Sequence, residues 1–386
     1  MRILHTSDWH LGRSFHGQGM LAHQAVFIDH LVEVVEAEHV DLVVVSGDIY
    51  DRALPPVDAV RLAEEALVRL AHSRARVVLT SGNHDSHQRL GFASRLIDAA
   101  GVHVRTHARD VGTPVLLDDE HGTVAVHGLP YLDPDHLREP WGLSSRSHEA
   151  VMTEALGRVR ADLAGRPGVR SVVLAHAFVV GGEACDSERD LSVGGVQHVP
   201  TALFEGFDYT ALGHLHGRQE LAPGLRYSGS PLAYSFSEAG HRKGCWLVDL
   251  DARGFAGAEF VDAPVPRALA RLRGRLEDLL TDPRHAGAER AWVQAVITDP
   301  VRPAQAKPRL ERRFPHVLSL AFEPDGGTRP GLPAARTGAG VSDHQITLDF
   351  VRDLRSRPAD EAESALLRAA CDACCDDRDL DPGVVA

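Results

Sequence analysis

Five short groups of Asp, His and Asn side chains, each following a short apolar run, constrain this chain more tightly than any other feature. They are Asp8-Trp9-His10, Gly47-Asp48-Ile49-Tyr50-Asp51, Gly82-Asn83-His84-Asp85, Ala175-His176 and Gly213-His214-Leu215-His216. The runs ahead of them are Ile3-Leu4-His5, Asp41-Leu42-Val43-Val44-Val45, Arg76-Val77-Val78-Leu79-Thr80, Ser171-Val172-Val173-Leu174 and Tyr209-Thr210-Ala211-Leu212. Such runs read as buried strands, and helical patterns over Gln24 to Glu38 and Pro56 to Ala71 separate the first three. The alternation predicts βαβ units, continued by Thr123-Val124-Ala125-Val126. In open α/β sheets ligands gather at the carboxyl ends of strands, so the five groups are expected to converge.

Carboxylate oxygen, amide oxygen and imidazole nitrogen together suit borderline divalent metals such as Mn²⁺, Fe²⁺ or Zn²⁺, and no thiolate stands among them. The i, i+2 spacing in Asp8-Trp9-His10 and His214-Leu215-His216 predicts two ligands on one side of an extended segment. Gly47, Gly82 and Gly213 allow the sharp turns that aim the next side chain into a cleft. Taken singly, each group has a bland explanation. The chain has 23 histidines, so a lone one is more often structural, and His5, His72, His103, His121, His127 and His198 are read that way. Five groups in one order, each at a strand end, point instead to a metal site.

Length and composition set the outer limits. A chain of 386 residues holds two or three domains. No stretch approaches the roughly 18 uninterrupted apolar residues of a membrane span, and the amino terminus lacks a secretory pattern, so a cytoplasmic location is expected. The net charge of −13 removes any whole-protein attraction to a polyanion. A nucleic-acid substrate would need local basic residues, bound metals or a partner. Five cysteines, three of them crowded at Cys371, Cys374 and Cys375, do not form a disulfide framework. They read as thiols on a helix, with a soft-metal site as the alternative.

A proline-punctuated connection around Val261 to Pro266 marks a boundary, giving a first domain over 1–262. A small α/β module over 263–323 is expected to hold a helix (Arg267 to Leu280), a strand (Ala291 to Thr298), a helix (Ala304 to Arg313) and a strand (His316 to Phe322). Residues 324–342, rich in Gly and Pro, read as a flexible linker. Residues 343–386 carry two short helical patterns that either dock on a partner or pack on their own chain.

The order D-x-H, G-D-x-x-D, G-N-H-D, A-H, G-H-x-H resembles the calcineurin-like metallophosphoesterase superfamily. The resemblance implies an α/β sandwich of mixed sheets flanked by helices, followed here by a small α/β capping domain and a C-terminal helical segment. It implies two divalent metal ions, expected to be Mn²⁺, one held by Asp8, His10 and His216 and the other by Asn83, His176 and His214, with Asp48 bridging. Two such ions polarise the phosphoryl oxygens and generate a hydroxide for in-line attack. His84 is then expected to donate the proton to the leaving group, and Asp51 to accept a hydrogen bond from its ring and raise its pKa, unless Asp51 only closes a turn.

Further phrases narrow the resemblance. Gly128-Leu129-Pro130-Tyr131, Ser187-Glu188-Arg189, Val193-Gly194-Gly195, Tyr227-Ser228-Gly229-Ser230-Pro231-Leu232 and Ser235-Phe236-Ser237-Glu238-Ala239, with Lys243-Gly244, look like the nuclease subunits of bacterial DNA double-strand-break repair complexes. That implies a Mn²⁺-dependent 3′ to 5′ exonuclease on duplex ends and an endonuclease on single strands and hairpins. The implied partners are DNA, an SbcC-type ATPase gripped by the terminal helices, and a second copy of the chain, making a heterotetramer away from any membrane. Arg13, His16 and Arg89, with Arg95 beside them, are the DNA-binding candidates, against the alternative of solvated loops. Two other readings stay open: a phosphoesterase acting on small molecules or phosphoproteins, and a non-catalytic scaffold bridging ATPase subunits.

Overall fold

Strands that are apolar on both faces have to be covered on both sides, and that requirement builds the layers here. The computed structural model describes residues 1–188, 198–325, 342–355 and 357–376. Packing divides them into two compact units. The first comprises Met1–Leu272, Pro283–Gln294 and Glu311–Ser319; the second comprises Arg273–Asp282, Ala295–Leu310 and the chain from Leu320 onward.

In the first unit the elements run β1 (Arg2–Thr6), α1 (Leu21–Ala37), β2 (Leu42–Ser46), α2 (Val57–His72), β3 (Arg76–Thr80), β4 (Val102–Arg105), β5 (Val115–Asp119), β6 (Gly122–Gly128) and α3 (His148–Ala164). They continue with β7 (Arg170–His176), β8 (Tyr209–Gly213), β9 (Gln219–Ala222), β10 (Leu225–Tyr227), β11 (Gly244–Asp251) and β12 (Gly254–Asp262). Two six-stranded sheets result, in the orders β12-β11-β1-β2-β3-β4 and β9-β10-β8-β7-β6-β5. Both are mixed. Strands β1 to β4 are parallel and β11 joins antiparallel to β1; β6, β7, β8 and β10 are parallel, with β5 and β9 antiparallel at the edges.

The period of two in each strand sorts side chains between layers. Ile3, Leu42, Val44 and Val78 of the first sheet meet Val126, Val172, Leu174 and Ala211 of the second in the central core. Their neighbours Leu4, Val43, Val45 and Val77 face outward onto Phe27, Leu31, Leu62 and Leu70 of α1 and α2. On the far side Val173, Ala175 and Leu212 pack against Met152, Leu156 and Val159 of α3. The product is the expected helix–sheet–sheet–helix sandwich. Leu62 and Leu70 are buried and Leu67 is partly so, which makes them core residues.

Past residue 262 one expectation fails. The helix expected from Arg267 to Leu280 is a strand, β13 (Leu269–Gly274), followed by the short helix α4 (Leu276–Thr281). Ala270, Leu272 and Gly274 alternate with arginines at the strand period, and Gly274 would cost a helix interior about 1 kcal/mol relative to Ala. Strands β13, β14 (Trp292–Ile297) and β15 (Val317–Phe322) form a three-stranded sheet in that order, and α5 covers Ala306–Arg313.

Within the second unit, Arg309 of α5 pairs with Glu277, and Asp299 caps α4 through the Leu276 N–H at 2.7 Å. The terminal helices α6 (Asp343–Arg355) and α7 (Glu361–Asp376) pack on each other, with Arg355 2.7 Å from Glu363. Ile346, Phe350 and Leu366 remain exposed on them. Arg189, the phrase Val193-Gly194-Gly195 and residues 326–341 of the expected linker lie outside the described residues, as do the Cys374 and Cys375 side chains. Among the described residues no helix is long and apolar enough to cross a membrane.

Candidate metal centre

The carboxyl ends of β1, β2, β3, β7 and β8 meet at one end of the sandwich, and all five groups lie there. The segment leaving β1 is not extended as expected. Asp8 and His10 adopt φ of 53° and 46°, so the chain coils left-handed, and Asp48 does the same at 52°. Non-glycine residues rarely sit there, because the Cβ crowds the backbone. Three main-chain bonds hold the conformation by tying this segment to the one after β2: Asp8 N–H to Gly47 O at 3.1 Å, His10 N–H to Asp48 O at 3.0 Å and Leu11 N–H to Ile49 O at 2.9 Å. Strain concentrated on three candidate ligands marks the end of the sheets as a functional site.

Gly47, at φ 85°, supplies the turn predicted for it. Gly82 and Gly213 serve a different purpose. A Cβ on Gly213 would overlap the Ser46 carbonyl, and one on Gly82 would overlap the Asp48 carboxylate. The bare Gly213 lets the two sheets close on each other, and the bare Gly82 makes room for the Asp48 carboxylate within the first. His176 Nδ1, 2.9 Å from Ser46 O, crosses the same gap.

Two sets of donor atoms result, with Asp48 between them. On one side Asp8, His10 and His216 bring ligand atoms within 4.8 Å of one another, with His10 Nε2 only 3.1 Å from His216 Nε2. On the other, His176 Nε2 lies 2.9 Å from Asn83 Oδ1. Asp48 Oδ2 is 3.6 Å from His10 Nε2 and 3.5 Å from His176 Nε2, the position of a bridging ligand. His214 is placed differently. Its ring is buried 5.4 Å from that of His176, centroid to centroid, and its main-chain N–H donates to Asp8. Among the described residues its ring nitrogens join none of the close donor groups.

The electrostatics ask for a cation. Burial, then Asp85 and Asp8, push the Asp48 carboxyl well above its usual range. Burial, then His216 and His84, hold the His10 imidazole well below its own. A neutral imidazole such as His10 beside crowded buried carboxylates is what a divalent ion requires and what water-free protein otherwise penalises. The residues therefore fit divalent cations, with His214 outside the close donor groups.

His84 stands at the edge of these donors. Its ring packs 4.7 Å from that of His10, and its N–H donates to Asp48 Oδ1 at 2.8 Å. Its Nδ1 donates to the main-chain carbonyl of Asp51 at 2.7 Å, where the sequence suggested the carboxylate. That carboxylate lies 3.8 Å from His10 Nδ1 and 3.6 Å from Arg13. Asp85 is a scaffold residue. It accepts the N–H groups of Ile49, Tyr50 and Gly82 at 2.9–3.0 Å, while burial raises its pKa to about 6.

The DNA-binding candidates separate. Arg13 is committed within the protein, donating to Ser187 O at 2.8 Å and stacking over Tyr234 at 5.1 Å. His16 is exposed beside Phe15 and Phe236. Arg89 is exposed too, with one guanidinium nitrogen on Ala53 O at 3.0 Å, and Arg95 is exposed nearby in sequence. A cavity of about 480 Å³ opens beside Asn83, lined by His87, His107, Tyr131 and His136.

Sequence reasoning missed the buried residues behind His216. Ser187, Glu238 and Lys243 surround that histidine, and Cys185 adjoins them. Cys185, His216 and Glu238 also bring donor atoms within 4.8 Å. The Ser187 hydroxyl stands among them, bonded to His216 and Glu238 and 3.2 Å from Cys185 Sγ, and burial pushes the Cys185 thiol up to about 12. Ser187, Glu238 and Lys243 lie in the phrases quoted above, but no spacing rule ties residues so far apart to one ring.

Comparison with known proteins follows the same lines. The family model described as calcineurin-like phosphoesterase matches residues 1–218. A second, the SbcD C-terminal model, described as type 5 capsule protein repressor C-terminal domain, matches residues 265–346. Among solved structures, TT1561 of Thermus thermophilus is 13% identical, with 68% of this chain and 98% of that one covered and a TM-score of 0.40. A dimetal phosphatase from Danio rerio is also 13% identical, covering 68% and 99%, at 0.41. GAP50, titled the anchor in the inner membrane complex of Plasmodium, is 11% identical, covering 85% and 98%, at 0.38.

Proposed function

The chain belongs to the calcineurin-like phosphoesterase family and is a hydrolase of phosphate esters; from that premise we propose that it is a two-metal DNA nuclease of the SbcD type. The observation that carries the metal half is Asp48 Oδ2, 3.6 Å and 3.5 Å from the facing nitrogens of His10 and His176. The DNA half is supported by the match over residues 265–346. When bound, two divalent ions, Mn²⁺ in this reading, would polarise the phosphodiester and lower the pKa of a water to near neutrality.

The chain's own residues do the rest. Asp8, His10 and His216 would hold one ion and Asn83, His176 and His214 the other, with Asp48 shared between the two sets. His84, its Nδ1 proton engaged by the Asp51 carbonyl, is the group that protonates the leaving alkoxide through its other nitrogen. Asp51 then acts on His84 through its main chain, and through its carboxylate on His10 and Arg13. Exposed His16 and Arg89 offer contacts to the DNA backbone, while Arg13 holds the site together.

The remaining assignments follow the same reading. Residues 263–323 form a DNA-positioning cap and 343–386 a docking segment for an SbcC-type ATPase, to which exposed Ile346, Phe350 and Leu366 are suited. Leu54, Val57, Phe92 and Leu96, exposed on segments that Arg89 links through Ala53, suit a homodimer contact.

Purified protein with Mn²⁺ and end-labelled duplex or hairpin DNA tests the proposal. Cleavage is expected, lost in Asp8→Ala and reduced roughly 10²–10⁴-fold in His84→Ala. Hydrolysis of a chromogenic phosphodiester with no DNA cleavage, even with the ATPase added, would sink the nuclease reading and leave the small-molecule phosphoesterase.

A further inference from the structure

His216 is held on every side by a buried polar chain that contributes no ligand of its own. Its Nδ1 is 2.6 Å from Ser187 Oγ, and that hydroxyl donates to Glu238 Oε1 at 2.7 Å. Glu238, 1% exposed, also accepts the Tyr234 N–H at 3.0 Å and faces the ammonium of Lys243. Lys243 Nζ donates in turn to the His216 carbonyl at 2.8 Å and to Ser230 Oγ at 2.9 Å. The His216 N–H donates to Glu188 Oε1 at 2.6 Å. Ring, carbonyl and amide of one residue are thus all fixed.

Proton counting gives this arrangement a direction. A hydroxyl has one proton, and here it goes to Glu238, so Ser187 Oγ can only accept from His216. Nδ1 must therefore carry the hydrogen. The lone pair is left on Nε2, the atom that faces His10 Nε2 at 3.1 Å. A ring in the other tautomer would set a lone pair against the Ser187 oxygen and point an N–H at the metal position.

We propose that Ser187, backed by Glu238 and Lys243, is a positioning residue that selects the Nδ1–H tautomer of His216 and so makes it a ligand for the first metal. The inference rests on the metal-centre reading above and deepens it. Arg13 belongs to the same device, since its bond to the Ser187 carbonyl ties the segment after the first ligands to the segment that presents the hydroxyl.

Ser187→Ala and Ser187→Thr test this in the full chain. The alanine variant keeps the Tyr234 and Lys243 bonds to Glu238, and the threonine variant keeps the hydroxyl. Two readouts are taken: Mn²⁺ affinity and stoichiometry by titration, and the His216 tautomer by ¹⁵N NMR of the metal-free protein. In Ser187→Ala one of the two Mn²⁺ affinities should fall roughly 10–100-fold, the cost usual for losing a partner of a ligating histidine. Its His216 should lose the pure Nδ1–H signature, and Ser187→Thr should restore both. Wild-type protein that takes up two ions, with Ser187→Ala unchanged in affinity and tautomer, overturns this inference alone. Wild-type protein that takes up none overturns it together with the metal reading.

Discussion

The two ends of the same pair of sheets carry buried charge in opposite states. At the carboxyl ends of the parallel strands, Asp8 and Asp48 are 0% and 2% exposed and face His10, whose imidazole burial holds well below its usual range. At the other end Asp119 is only partly buried, its side chain 12% exposed, and it forms ion pairs with Arg170 and, at 2.7 Å, with the Met1 ammonium. Burial raises both carboxyl groups. At Asp119 hydrogen bonds from Arg170 and the ammonium outweigh it and hold the pKa well below the carboxylate range. At Asp48 nearby Asp85 and Asp8 add to it instead. Desolvation is answered within the protein at one end, and at the other, where burial is complete, is left for a cation to answer.

The largest effect expected from this contrast is at the unanswered end. Asp48→Asn should lose more than about 100-fold in phosphodiesterase activity, since on the proposed function it removes the ligand shared by both metals and not merely a supporting one. In chelator the same variant should melt above wild type, because it relieves an uncompensated buried charge. An Asp48→Asn protein that melts lower than wild type without metal would break the contrast.

Metal itself should act next. Mn²⁺ at about 100 times its dissociation constant should stabilise wild type by about 2.7 kcal/mol, read as a rise in Tm that EDTA reverses. Asp48→Asn should show little of that rise.

Asp119→Asn should destabilise by about 2 kcal/mol at neutral pH, the scale of a charged hydrogen bond, with activity unchanged. The sign with pH follows from a folded-state pKa depressed below the unfolded value of about 3.9. The difference in Tm between wild type and variant should hold steady above that value and shrink as the pH falls below it toward the folded pKa. A gap that widens in acid would show that the pair is not what stabilises this end.

The smallest effect is at the rim. Arg89→Ala should weaken DNA binding evenly across sequences and reduce the salt slope by about one, whereas Arg13→Ala should lower metal affinity through Ser187. Equal salt slopes for wild type and Arg89→Ala would remove Arg89 from the DNA contacts.

Much of this was legible in the chain. Strands such as Val43-Val44-Val45, apolar on both faces, required a covered sheet, and glycine followed by Asp, Asn or His at their ends located the site. The helical reading missed the strand period of Leu269–Gly274, which its sheet partner Trp292–Ile297 completes as a strand. The i, i+2 spacing misread the backbone at Asp8 and His10, because three bonds to the segment after Ser46 impose a left-handed turn that neither residue favours alone. Asp51 meets His84 through its main-chain carbonyl and not through the carboxylate that the sequence suggested.

The sequence by itself determined the ligand types, their order along the chain and the layered architecture, because donor chemistry and strand period are local properties. Only the tertiary structure decided that Asp48 stands between two donor sets, that Arg13 faces inward and that Ser187, Glu238 and Lys243 hold His216. Those are relations between atoms brought together from opposite sheets and distant loops. They exist only once burial has removed the water that would otherwise satisfy each group alone.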